Sequence, residues 1–544
     1  MDDPVRSHSR ALATADLILR GGRVHTVDAH DRVVAALAVA GDRILAAGSS
    51  AEVAALAGPR TRVVELRGRS VLPGFVEAHC HMAGYGAYRA GIDCKAPEID
   101  SIEALKRALA EQARRAPAGT WIRAYGYDQT RLAERRHPNR FDLDAAAPDH
   151  PVLVRRACGH IVVANSRALE RAGIDDATPD PPGGRFDRIG GRNAGIAYED
   201  AGAPLSAAAA LTQAEQKAAL ARASADWLRA GIISAHDAGM GSPQIAALLE
   251  GIRDGSVKVR VYFTVRVAPS DEHQLLYLDS GLRTGFGDRR ARLGPFKLMV
   301  DGSSSGPTAA TRQPYASNRD DRGILRYAPE QINALVERAH AAGFQVTAHA
   351  VGDRAIELML DAYERALARH PRRDHRHRIE HCAICPPDLV ARVARLGVVP
   401  VIQPPFFWEY GDGYLANYGE ARTAQMFPAR SFRDAGVVAA GSSDAPVADV
   451  RPLFGIQQAL TRTTMGGRSA GAAETVRLAD AIRLYTYNGA YAAFEEQEKG
   501  SLEPGKLADV AVLDGCLEDT PPPQIGQLEV AATLLGGEVV YGAL

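Results

Sequence analysis

Two histidines one residue apart, His79 and His81, close the run Leu72-Pro73-Gly74-Phe75-Val76-Glu77-Ala78-His79-Cys80-His81. The Pro-Gly pair turns the chain, and the apolar residues after it read as a strand, in which side chains at i and i+2 share a face. His79 and His81 can therefore offer two neutral imidazoles to one metal ion. A lone His-x-His is common without a metal, so its meaning depends on matching ligands further along. They occur where other short apolar runs end: His349, His381, and Asp444 in Gly441-Ser442-Ser443-Asp444-Ala445-Pro446. Histidines joined by a carboxylate are the donors that zinc and similar divalent ions prefer. Lys297, in Phe296-Lys297-Leu298-Met299-Val300-Asp301-Gly302, needs a separate account. An ammonium cannot ligate a cation, whereas a carbamate formed with CO2 could bridge two metals. A lysine neutralised by burial, or paired with Asp301 or another carboxylate, fits the same residues, and the sequence does not choose between them.

Positioning these groups requires a scaffold. Apolar runs at 74–79, 231–236, 259–267, 293–300, 344–349, 377–381, 398–402 and 437–441 alternate with Ala-rich amphipathic stretches. This rhythm predicts a parallel sheet, and eight strands are the number that closes a (β/α)8 TIM barrel, whose chemistry sits at the C-terminal strand ends. The candidate ligands fall at those ends. Before the barrel, short strands and Gly turns in residues 1–73 read as half of a small β-sandwich, after a frayed tail over 1–15. Residues 496–544 return to that pattern and supply the other half, leaving 74–495 for the barrel. An insertion at about 85–225 brings its own strands at 121–125 and 151–156 and a Gly-rich hairpin near 183–191, at the mouth where barrels vary.

The 544 residues are 46% apolar and 24% charged, with a net charge of −1, which points away from nucleic acid and anionic membranes and towards a small-molecule substrate. The polar N-terminus has no signal-peptide core, and no run approaches membrane-spanning length. Six cysteines, including Cys382 and Cys385, make no disulfide framework, and the expected compartment is the cytoplasm.

The chain resembles the amidohydrolase superfamily, and within it the amidohydrolase 3 family that includes N-substituted formamide deformylases. The resemblance rests on residues 73–81, Gly159-His160 with Asn165-Ser166, Lys297 to Asp301-Gly302 followed by Pro307-Thr308, His349 with Gly352-Asp353-Arg354, Arg378-Ile379-Glu380-His381, 441–446 and 500–509. It implies the same barrel and sandwich. It also implies that His79 and His81 bind the more buried metal and His349 and His381 the second, with carbamylated Lys297 as the bridge. Asp444 becomes a ligand and proton shuttle, and water activated on one or two zinc ions cleaves a C–N bond other than a peptide bond. For His160 the resemblance suggests substrate contact or oxyanion stabilisation, against a loop-ordering hydrogen bond as the plainer reading. Asn165, Ser304 and the aromatic loop with Phe407 and Trp408 are expected at the substrate pocket. His236 is expected to orient a ligand, Asp353 and Arg354 to cap a helix, and the basic run at 370–378 to be a solvated loop.

The expected substrate is a linear amide or N-acyl or N-formyl amine. The alternatives are a cyclic-amide hydrolase or deaminase of the same superfamily, or a non-catalytic barrel serving as a binding scaffold. All six candidate metal positions are present, which argues against the scaffold. Homo-oligomers are frequent in the family, so one is an expectation here too.

Overall fold

The computed structural model describes residues 14–95, 97–268 and 272–544; the expected tail lies outside them except for its last two residues, of which Ala15 already opens a strand. At the centre are eight parallel strands paired in chain order: Phe75–Cys80, Ile232–Met240, Arg260–Arg266, Ala291–Met299, Val346–Ala350, Arg378–His381, Val399–Ile402 and Ala440–Gly441. The ring closes through backbone after the eighth strand, where the Asp444 N–H donates to His79 O (3.0 Å) and the His81 N–H to Ala445 O (2.9 Å). Gly74 permits the first strand to lie on the second, since a Cβ there would stand 2.4 Å from Ile233 Cγ1.

Helices pack outside the ring by apolar stripes. The helix Asp353–Arg369 buries Ile356, Met359, Leu360 and Tyr363 at helical spacing, and Pro387–Leu396 buries Leu389, Val390 and Val393 before stopping at left-handed Gly397 (φ 65°). Strands from the two chain ends meet where Val71, Leu72 and Pro73 pair antiparallel with Val512, Ala511 and Val510. The long strand Ala15–His25 shifts register between Arg20 and Val24, so its first half pairs with Ala57–Glu65 and its second with Ser70–Pro73. Leu19, Leu37 and Val39 thereby share one apolar core with Val510, Val512 and Leu534, in one eight-stranded sheet built from both chain ends.

The segment between the first two barrel strands builds a separate six-stranded sheet, ordered Gly184–Ile189, Arg192–Glu199, Ile161–Ala164, Val152–Arg156, Ile122–Tyr127, Ile92–Asp93. The hairpin expected near Gly183–Gly191 is present, turning at Gly190 and Gly191. Two expectations fail. The aromatic run after the seventh strand is the helix Phe406–Tyr418, because Phe406, Phe407, Tyr410, Tyr414 and Tyr418 fall on buried faces three or four residues apart. The run at 370–378 is not a solvated loop: His375, His377 and Arg378 are buried and hydrogen-bonded. Among the described residues no helix is long and apolar enough to cross a membrane.

Candidate active site

The C-terminal ends of the barrel strands open into a cavity of about 610 Å³ whose wall includes His81, Lys297, His349, His381 and Asp444, with His160 contributed by the inserted sheet. Register places the groups side by side. His349 pairs with Met299 and with Glu380, and Ala350 with His381, so the fourth, fifth and sixth strands present their ends together.

Hydrogen bonds aim the imidazoles. His79 Nδ1 lies 2.5 Å from Glu380 Oε2, and the anionic partner fixes this nitrogen as the donor. The Nε2 lone pair of His79 therefore faces inward, 3.3 Å from Asp444 Oδ1. His81 Nε2 also lies 3.3 Å from that oxygen. His381 Nδ1 engages Gln403 Oε1 at 2.9 Å, leaving its Nε2, while His349 Nε2 donates to Gly302 O at 3.0 Å, leaving its Nδ1. The rings of His349 and His381 are 4.5 Å apart, and those of His79 and His381 4.9 Å. Ligand atoms of His79, His381 and Asp444 lie within 4.8 Å of one another. Asp444 Oδ1 is buried with no hydrogen-bond partner. Lone pairs converging on an orphaned carboxylate oxygen suit a divalent cation and little else, since buried acceptors without a donor are costly.

Burial pushes His81 down to about 4 and His381 to about 3, so both stay neutral. Asp444 and Glu380 instead raise His79 against its burial, and the charge His79 gains holds the buried Asp444 well below the ordinary carboxylate range. Burial likewise works against Glu380, yet Arg378 and His79 keep it ionised. Arg378 grips Glu380 through Nε (2.8 Å) and Nη2 (3.1 Å), while Nη2 also donates to Ala78 O. Thr347 Oγ1 adds a 2.6 Å bond to Glu380, and His236 Nδ1 accepts from Arg378 Nη1 at 3.1 Å. His236 thus acts through Arg378 and Glu380 on the orientation of His79. Lys297 is buried with Nζ 3.4 Å from His79 Nε2, and burial lowers it to about 8. Its neutral form is accessible near physiological pH, and no pairing with Asp301 is formed; Asp301 accepts instead from the N–H groups of Ala310, Val351 and Gly352.

His160 reaches the cavity at 5.1 Å from the His349 ring, held by Glu199 Oε2 at 2.7 Å from its Nδ1. Four expected pocket residues are not brought there. Asn165 is fully buried in backbone bonding: Oδ1 accepts from Val152 and Ala168, capping the helix Ser166–Arg171, and Nδ2 donates to His150 O. Ser304 Oγ bonds Tyr414 Oη at 2.9 Å, away from the cavity wall. Phe407 packs against Tyr414, Phe427 and the Arg462 guanidinium, and Trp408 against Phe454, and neither lines the cavity. Asp353 is the first residue of its helix and not the expected cap, a place taken by Gly352 without a side-chain bond; Asp353 Oδ1 accepts from the N–H of Arg312 and of Arg354, and Arg354 pairs with Glu357 of the same helix at 2.9 Å.

Glu77, Glu380, Gln403 and Glu199 were not among the sequence candidates. Glu380 was the most accessible, adjoining His381 in a strand, and Glu77 stands two residues before His79. Buried Glu77 accepts from the Ser443 N–H at 2.9 Å and the His79 N–H at 3.2 Å, tying the closing loop to the first strand. Glu199 had no local signal.

Comparison with known proteins agrees with this geometry. The amidohydrolase family profile matches residues 62–541. The chain is 30% identical to an N-substituted formamide deformylase of Arthrobacter pascens, over 97% of this chain and 98% of that one. It is also 30% identical to the putative amidohydrolase YtcJ of Bacillus subtilis, over 89% and 91%. Among solved structures, an uncharacterized metal-dependent hydrolase from Pyrococcus furiosus superposes with a TM-score of 0.73 at 27% identity, covering 93% of this chain and 99% of that one. The corresponding Pyrococcus horikoshii protein gives 0.75 at 25% identity, over 96% and 100%. With its barrel closed around converging imidazoles and a carboxylate, the chain belongs to the amidohydrolase family, as a metal-dependent hydrolase acting on carbon–nitrogen bonds other than peptide bonds.

Proposed function

We propose that the protein hydrolyses a linear amide, an N-acyl or N-formyl amine, using zinc or a similar divalent ion. The observation that carries this reading is the buried, unpartnered Asp444 Oδ1 facing the Nε2 atoms of His79 and His81. His79, His81, His349, His381 and Asp444 would hold one or two ions, which supply a Lewis acid and lower the pKa of a water towards about 7. Asp444, ionised at the cavity floor, takes the proton of the attacking water and delivers it to the departing nitrogen. Lys297, as the free amine, would add CO2 to form a carbamate with release of one proton, and its neutral side chain would become an anionic oxygen donor beside His79. His160, whose Nδ1 is engaged by Glu199, has Nε2 left to meet the substrate carbonyl. The name of the Arthrobacter relative favours an N-formyl amine.

Elemental analysis of the purified protein with a screen of N-formyl and N-acyl amines tests the reading. One or two zinc ions per chain with amide turnover is the expected result. Folded protein that stays inert after zinc addition overturns it.

A further inference from the structure

The remaining charge in the cavity wall is arginine-rich. Arg123 lies 3.7 Å from Glu215, Arg156 pairs with Asp128 at 3.0 Å, and Arg326 pairs with Asp200. Arg155 and Arg266 line the same cavity and have no carboxylate partner among the described residues. Arg155 donates only to neutral acceptors, Gly159 O (3.1 Å) and Ser206 Oγ (3.0 Å). Arg266 donates to no described residue, and its side chain is exposed into the cavity. The protein packed around it and the positive charges of Arg326 and Arg155 disfavour its charge, with only partial relief from Tyr327 and Asp200. Because a guanidinium stays protonated, Arg266 and Arg155 put positive charge on the cavity wall that no carboxylate among the described residues neutralises, which favours an anionic group on the molecule the cavity receives.

Position narrows the anion. Arg266 ends the third barrel strand in register with Lys297 of the fourth, and Lys297 borders His79. Neighbouring strands are about 4.8 Å apart, so the guanidinium is within one side-chain length of the reacting centre. Met240, Met299 and Leu211 give the same cavity an apolar side.

We propose that Arg266, assisted by Arg155, binds a carboxylate of the substrate, and that the substrate class is therefore N-acyl or N-formyl amino acids with an apolar side chain. This rests on the amide-hydrolase reading above. A bidentate guanidinium–carboxylate pair matches both charge and shape, and a neutral amide would leave Arg266 without its partner, so discrimination is built in.

The test compares N-formylphenylalanine with N-formyl-2-phenylethylamine, which differ only in the carboxylate. The zinc-loaded protein is expected to favour the acid in kcat/KM by about 10- to 100-fold. Arg266→Gln should shrink that ratio about tenfold, chiefly through KM, and Arg266→Lys should restore part of it. Calorimetric titration of 3-phenylpropanoate, which cannot be hydrolysed, gives a readout independent of turnover; Arg266→Gln should weaken its binding about tenfold. Circular dichroism and metal content establish that each variant is folded. Equal or better turnover of the neutral amide by the unmodified protein overturns the anion subsite and leaves amide hydrolysis standing. If neither amide is turned over, the amide reading fails, and the titration decides the subsite: weaker binding by Arg266→Gln supports it, unchanged binding overturns it.

Discussion

Histidines cluster at both ends of the barrel around its fifth and sixth strands, and the two groups differ in how their ring nitrogens are used. At the N-terminal end, His377 Nε2 donates to His340 Nδ1 (3.0 Å), His340 Nε2 to His370 O (2.7 Å), and His377 Nδ1 accepts from the Val346 N–H (3.0 Å). His375 accepts from the His377 N–H at Nδ1 and donates to Leu396 O from Nε2. Each of these neutral rings offers one donor and one acceptor, and all are occupied. At the C-terminal end, His79, His349 and His381 each have one nitrogen engaged by Glu380, Gly302 or Gln403, and the other aimed at Asp444 or at a neighbouring ring across the cavity floor. Residue type and burial are alike in the two groups. What separates a structural cluster from a candidate reactive one is that lone pairs are left over and converge.

The largest expected effect comes from the open end. Asp444→Asn keeps the side-chain volume but removes the acceptor of the water proton, and kcat should fall by about 10²- to 10⁴-fold in steady-state assays on a good amide. Full turnover by this variant would mean that the contrast between the two ends has no catalytic content. Glu380→Gln should leave His79 less firmly oriented and weaken metal affinity by about 10- to 100-fold, read by competition with a chelator. Unchanged affinity would remove Glu380 from the account of the site.

At the closed end the expected cost is stability rather than turnover. His377→Gln removes the ring that makes two of the three linked bonds and should lower unfolding free energy by about 1–3 kcal/mol in urea titrations, with kcat of the metal-loaded protein within about twofold. A large loss of kcat would show that the closed cluster reaches the chemistry after all.

The same cluster predicts a pH dependence. Burial holds His377 well below its ordinary value, and burial also lowers His375 and His340. Because the folded pKa is depressed, the unfolded chain binds more protons below the unfolded histidine value of about 6.5. Stability is therefore fully present above that pH and declines as pH falls. His377→Gln should reduce the slope of unfolding free energy between pH 6.5 and 5 by up to about 1.4 kcal/mol per pH unit. An unaltered slope would mean that His377 does not titrate on unfolding. The smallest effect is expected at Phe407, packed beneath its helix: Phe407→Leu should cost less than about 1.5 kcal/mol and leave KM unchanged. A shifted KM would return that side chain to the substrate pocket.

The sequence by itself determined the order and type of the barrel strands, because short continuous apolar runs, buried on both faces in the fold, and Gly or Pro punctuation are local properties of the chain. It also placed His79, His81, Lys297, His349, His381 and Asp444 at strand ends, where a parallel barrel gathers them. Only the tertiary structure decided which nitrogens are free, since that depends on partners such as Glu380, 301 residues from His79, and Gln403, 22 from His381. The same reason explains the misplacements. Asn165, Ser304, Phe407 and Trp408 have residue types that suit a pocket, but their side chains are committed to backbone, hydroxyl and aromatic neighbours that no local pattern specifies. Arg266 is the converse case. Nothing in Val265-Arg266-Val267 distinguishes it from any strand-end arginine, and its significance comes from its place on the cavity wall, where no described carboxylate pairs with it.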